Sequence, residues 1–226
     1  MKDLITIGLP SKGRLKEKAE NFFVKKGLKF TKSDKERNYF AEIENRSNIK
    51  IIYLHAKEII QRLGDGTLDL GISGLDLLNE SEKSLRNKIK IKCKLDFGNA
   101  NLVVAVPNDW IDVQTIADLE EISFDMKSNH NKRLRVATKY PNLTNDFLIS
   151  KGVTQYKLML SLGATETYPF IGSSEIITDI TSTGKTLEDN NLRILKDGLI
   201  LKSTACLFLA KKKAAKLQPF LKSIGE

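Results

Sequence analysis

The sequence predicts an α/β fold: two lobes of mostly parallel sheet with flanking helices. Three observations lead there. Short apolar runs alternate with helical patterns along all 226 residues. That βα alternation calls for sheets covered by helices. About ten strands would overfill one open sheet in a chain this short, so two sheets follow.

Residues 4–9 are a continuous apolar run and read as a buried strand. Residues 12–26 are amphipathic and stop at Gly27, a helix with a glycine beyond its end. Residues 39–43 alternate like one strand of a hairpin, and 49–54 read as a second strand. Residues 56–63 are helical and end in Gly64-Asp65-Gly66. Residues 68–72 form a strand, a helix starts over 73–78, and the polar stretch 79–88 reads as loop. Residues 89–95 close the first series as a strand.

The second series opens with a strand over 102–106, closed by Pro107, and a short helix over 115–119. A strand over 134–137, a helix over 142–151 stopped by Gly152 and a strand over 157–160 follow. Residues 175–180 and 192–195 read as strands flanking a short helix at 185–189. The last strand is 204–209, and 211–224 read as a terminal helix beginning with Lys211, Lys212 and Lys213. A break near Asp96 and a second crossing before residue 204 give a discontinuous first lobe, 1–96 plus 203–226, and a second lobe, 97–202.

Composition excludes several classes. No run of 18 apolar residues exists, so no membrane span is expected. The opening MKDLITIGLP is too short and too soon charged for a signal peptide. Two cysteines, Cys93 and Cys206, and two histidines rule out a disulfide framework and a Cys/His zinc site, and a cytoplasmic setting follows. The net charge of +9 sits at the two ends: residues 1–37 hold eleven Lys/Arg against five Asp/Glu, and 202–226 hold six against one. A basic excess favours anionic partners. Nucleic acid is not expected, because no compact basic stretch carries interleaved aromatics.

Two strand-to-helix turns carry chemistry. Asp179-Ile180-Thr181-Ser182-Thr183-Gly184-Lys185-Thr186 follows a strand and opens a helix. Backbone N–H groups and hydroxyls there can cradle an anion, with Gly184 allowing close backbone approach. A Walker A loop needs a glycine five residues before Gly184, and Asp179 stands there, so a P-loop NTPase is excluded. An acid, then hydroxyls, then glycine suits a sugar phosphate; an ordinary Ser/Thr helix cap is the other reading. Leu9-Pro10-Ser11-Lys12-Gly13-Arg14-Leu15 is a second phosphate-type turn, or a helix start with solvated cations. In Asp69-Leu70-Gly71-Ile72-Ser73-Gly74 two glycines could let backbone meet a flat ligand, or could serve tight helix–strand packing. His55 reads as structural and His130 as solvated. Glu166 and Glu175 lie near the acid-hydroxyl loop in sequence.

Together with RVATKYPNLT (135–144), LDFGNANLVVAVP (95–107) and SLGATETYP (161–169), these stretches resemble the ATP phosphoribosyltransferase family in its short form. The resemblance implies two α/β lobes like a class II periplasmic binding protein with an active site between them, and the joining of 5-phosphoribosyl 1-pyrophosphate (PRPP) to N1 of ATP, with magnesium carried by substrate. It implies that Lys12 and Arg14 meet phosphate charge and are catalytic. Glu166, Asp179, Thr181, Ser182, Thr183, Gly184, Lys185 and Thr186 would bind PRPP. Ser11, Gly13, Arg37, Gly71, Ile72, Ser73 and Gly74 would bind ATP. It also implies a homodimer that joins a histidyl-tRNA-synthetase-like regulatory subunit, because the chain stops where long-form members add a regulatory domain. His55 stands where many members have Arg, and Glu175 where many have Asp. A two-lobe binding or sensing module, or a non-catalytic paralogue, is the rival reading of the same pattern.

Overall fold

A computed structural model describes residues 4–31 and 39–226. The chain divides into two compact units, one comprising Met1–Gly98 with Thr204–Glu226 and the other Asn99–Ser203.

The first unit runs β1 (Ile5–Pro10), α1 (Gly13–Lys25), β2 (Phe30–Thr31), β3 (Phe40–Ile43), β4 (Ile49–Leu54), α2 (Ala56–Asp65), β5 (Leu70–Gly74), α3 (Leu75–Glu80), α4 (Lys83–Arg86) and β6 (Ile89–Lys94). The second runs β7 (Ala100–Pro107), α5 (Ile116–His130), β8 (Leu134–Thr138), α6 (Pro141–Ser150), β9 (Tyr156–Leu160), β10 (Ile176–Thr181), α7 (Lys185–Asp189) and β11 (Leu192–Ser203). The chain then returns to the first unit through β12 (Ala205–Ala210), a 3-10 turn at Lys211–Lys213 and α8 (Ala214–Ser223).

Both sheets are mixed, and this corrects the mostly parallel expectation. The first has the order β2-β3-β4-β1-β5-β12-β6. Only β4-β1 and β1-β5 are parallel, because β12 returns antiparallel between β5 and β6 and a hairpin supplies β3. The second has the order β11-β7-β10-β8-β9, with β10-β8 and β8-β9 parallel and the β7 side antiparallel.

Each sheet buries both faces. In the first unit Ile7, Leu9 and Leu207 pack with Phe23 of α1 and Phe220 of α8, while Phe208 packs with Ile59 and Leu63 of α2. In the second, Val104 and Val136 pack with Leu119 of α5 and Leu148 of α6, while Ile177 and Ala137 pack with Leu187 of α7. Each fully buried Val, Leu, Ile or Phe among them contributes about 1.5–3 kcal/mol.

Local chemistry sets the helix ends. α2 starts at His55, whose Nδ1 accepts the Lys57 N–H at 3.3 Å, and stops at Gly66 in the left-handed conformation (φ +84°). The short helix expected at 115–119 is a fifteen-residue α5, begun by a capping box between Thr115 and Asp118. Asp197 of β11 accepts the Ile116 N–H at 2.8 Å and reinforces that cap. The strand expected over 192–195 continues through two register shifts to Ser203. The stretch 79–88, read as loop, contains α4.

Candidate functional site

In the first unit, register aligns the carboxyl ends of three parallel strands. Pro10 of β1 lies beside Leu54 of β4, and Gly8 beside Gly71 of β5. Residues 11–14, His55 and Gly74 therefore share one edge, the usual ligand edge of such sheets. Lys12 is extended (φ −142°) and leads into α1 without a side-chain cap. Gly13 takes φ +68° with open space where a Cβ would stand, so the turn needs glycine for its backbone, not for room. Lys12 and Arg14 are exposed, and neither joins an ion pair among the described residues. The Ser11 N–H donates to the Leu54 carbonyl at 2.9 Å, fixing the turn to β4. Tyr53 anchors α1 from below: its hydroxyl donates to Glu20 at 2.6 Å, and Lys16 sits 4.5 Å over its ring.

The Gly71 stretch is tightly packed. A Cβ on Gly71 would meet Ile59 of α2 at 2.7 Å and the Gly8 carbonyl at 3.0 Å. Ile72 and Ser73 are fully buried, and the Ser73 hydroxyl donates to the Ala56 carbonyl at 2.8 Å. Gly74 alone of the four reaches the surface. Asp69, at the other end of β5, accepts from the Thr6 N–H at 2.6 Å and the Thr6 hydroxyl at 2.7 Å. Arg37 lies outside the described residues. A groove of about 550 Å³ lined by Ile5, Arg46, Ile49, Lys216 and Phe220 sits at the opposite, amino-terminal edge of this sheet, away from these turns.

In the second unit the corresponding edge is formed by β10, β8 and β9, with Thr178 beside Thr138 and Thr138 beside Leu160. It carries residue 139, the 161–167 turn and the loop after Asp179. Asp179 is 9% exposed, and its Oδ1 accepts the Ile180 N–H at 2.8 Å. Burial raises its pKa, the Ile180 amide and the Lys139 ammonium pull it down, and the Glu166 charge pushes it up, for a net rise. The Thr181 hydroxyl accepts the Gly184 N–H at 2.8 Å, and the Thr183 hydroxyl accepts the Lys185 N–H at 3.3 Å. Gly184 has φ +82°, with no atom nearer than 4.0 Å to an added Cβ. Within the protein its constraint is backbone conformation. Ser182, Thr183, Lys185 and Thr186 are exposed.

Glu166 lies half-buried in a 3-10 turn (Thr165–Thr167) that begins at Ala164 in the left-handed region (φ 42°). The Thr165 hydroxyl donates to Ser161 Oγ at 3.0 Å. Beneath the edge, the buried hydroxyls of Thr138, Thr144 and Thr178 form a closed triangle of 3.1, 2.7 and 2.6 Å. Thr138 also accepts the Tyr140 N–H at 2.9 Å. Glu175 is not part of this edge. It sits at the amino end of β10, and both its oxygens hold Arg135, the shortest contact being 2.6 Å. Sequence reasoning missed Lys139: the run RVATKYPNLT was recognised, yet nothing in one sequence marks which of its residues faces Asp179.

Two α/β units, each with exposed polar turns at the carboxyl ends of parallel strands, define a chain of the class II periplasmic-binding-protein kind. An ancestral arginine-binding protein bound to glutamine shares that fold, at 10% identity and a TM-score of 0.56 over 100% of this chain and 92% of its own. The family model HisG, ATP phosphoribosyltransferase, matches residues 55–226. ATP phosphoribosyltransferases from Brucella melitensis and Rhizobium etli are 46% and 43% identical, covering 92% and 98% of this chain and 90% and 96% of their own. A chain of the ATP phosphoribosyl transferase (HisG:HisZ) complex from Thermotoga maritima matches with a TM-score of 0.75 at 25% identity, over 98% of this chain and 97% of that one. The chain belongs to the ATP phosphoribosyltransferase family.

Proposed function

We propose that this chain transfers the phosphoribosyl group of PRPP to N1 of ATP, giving phosphoribosyl-ATP and pyrophosphate, the first step of histidine biosynthesis. The observation that supports this most is the Asp179–Thr186 loop, a buried carboxylate followed by exposed hydroxyls around Gly184, in a member of this family. The second unit holds PRPP: Asp179 and Glu166 meet the ribose hydroxyls, and Thr181, Ser182, Thr183, Gly184, Lys185 and Thr186 take the 5-phosphate. The first unit holds ATP at Ser11, Gly13 and Gly74, with Gly71, Ile72 and Ser73 fixing Gly74 from inside; Arg37 belongs to the same proposal.

The chemistry asks little of a base. The N1 lone pair forms the new bond to C1 as the bond from C1 to pyrophosphate oxygen breaks, so no proton must leave first. Catalysis rests on alignment and on countering pyrophosphate charge, the part given to Lys12 and Arg14. His55 remains a helix cap at the same edge. The Asp179 and Glu166 carboxylates repel one another and would suit a cationic neighbour such as a substrate-borne magnesium, which would supply charge neutralisation.

The chain dimerises and works with a histidyl-tRNA-synthetase-like regulatory subunit in the cytoplasm. Among the described residues no helix is long and apolar enough to cross a membrane. The test mixes the chain with ATP, PRPP and magnesium, with and without such a subunit, and follows phosphoribosyl-ATP absorbance. Product in either arm supports the reading. Tight binding of both substrates with no product in either arm favours a binding module or a non-catalytic paralogue.

A further inference from the structure

We infer that Lys139 is a further substrate-contacting residue, its ammonium meeting an anionic oxygen of the phosphorylated pentose held by the Asp179–Thr186 loop; this rests on the transferase reading above.

Register places it. Thr138 and Thr178 are direct partners on neighbouring parallel strands, so positions 139 and 179 lie one step further along both. Residues in register on adjacent strands face the same side, and successive residues face opposite sides. Lys139 is the first residue past the end of β8 and Asp179 feels its charge, while Thr138 and Thr178 turn away from Asp179 and join hydroxyls on the other face at 2.6 Å. The hydroxyl triangle with Thr144 of α6 locks this end of β8 against β10 from beneath.

Availability is the second observation. Lys139 is exposed and forms no ion pair among the described residues, although Asp179 feels its charge. A lysine beside a buried carboxylate, at the edge where a parallel sheet receives ligands, is placed to take an anion. Lys185, also exposed, is the cation within the loop itself.

The test compares Lys139→Met, Lys139→Gln and Lys139→Arg with the wild type in full kinetics and thermal melting. Loss of one charge-assisted contact should raise KM for PRPP about tenfold or more in the Met and Gln variants. KM for ATP should change less than about twofold, melting should hold, and Arg should restore most of the PRPP affinity. KM for PRPP unchanged in both neutral variants, or an equal loss toward both substrates, overturns the inference. An inactive wild type that also fails to bind PRPP in calorimetry defeats the transferase reading itself and this inference with it. An active wild type with unaffected variants defeats only the inference.

Discussion

Lys213 places its ammonium 2.9 Å from the Asp69 carboxylate, joining the turn after β12 to the start of β5. Asp69 is 1% exposed, and Thr6 donates two further hydrogen bonds to it. Burial alone would raise its pKa, but the Thr6 bonds and the Lys213 charge together outweigh that and hold it low.

A carboxyl whose folded pKa is depressed adds stability above its unfolded pKa and loses it as pH falls through the folded value. Asp69→Asn should cost about 3 kcal/mol near neutrality, by stranding a buried polar group and breaking the pair. Urea midpoints of the two proteins should differ by a constant amount down to about pH 5 and converge below it. A gap independent of pH into the acid range would remove the ionised carboxylate from the account.

Asp179 has the opposite sign. Burial, the dominant influence, raises its pKa, so the stability linked to its proton is present at low pH and lost as pH rises through the folded pKa. Asp179→Asn should therefore melt at or above the wild-type temperature near neutrality while losing PRPP binding. A destabilised variant that still binds PRPP contradicts both halves.

Glu175 and Glu166 should separate cleanly. Glu175→Gln breaks the Arg135 pair, which is partly exposed and screened, at a cost of about 1 kcal/mol. It should leave KM for PRPP unchanged. Glu166→Gln should raise that KM and spare the melting temperature. The reverse pattern would move the ribose contact to the other end of β10.

At Gly184 the left-handed φ of +82° sets the expectation. Ala there meets no steric obstacle but costs about 1–2 kcal/mol of backbone strain, or relaxes the loop to avoid it. Calorimetry should show weaker PRPP binding by Gly184→Ala; unchanged affinity would show that the loop tolerates another geometry.

Lys12→Ala and Arg14→Ala should each lower turnover about 100-fold, roughly 3 kcal/mol, with melting unchanged. Both side chains are exposed and join no ion pair among the described residues, so stability has little to lose. Near-normal turnover in both variants would reject their role against pyrophosphate charge.

The strands were legible because their apolar runs are short and bounded by Gly, Pro or polar turns, as at β1 and β4. The length of α5 was not, because beyond Leu119 only Ser123 is fully buried, and the partly buried Ile122 and Met126 are blurred as a stripe by the exposed Phe124. Its capping box at Thr115 was the readable signal. Gly71 shows the limit for sites: two meanings of one glycine differ only in whether Ile59 occupies the space beside it, and that is a tertiary fact. Mixed pairing was hidden for the same reason, since β12 finds its place between β5 and β6 only through the chain's return.

That return has a consequence for how the molecule is made. The second unit is one uninterrupted stretch of chain, complete once Ser203 has been synthesised. Its partner cannot zip β5 to β6 until the ribosome has delivered residues 205–210, so the inserted unit is positioned to acquire its structure first. A released chain truncated after residue 203 should thus contain a protease-resistant insert and an unfinished first unit.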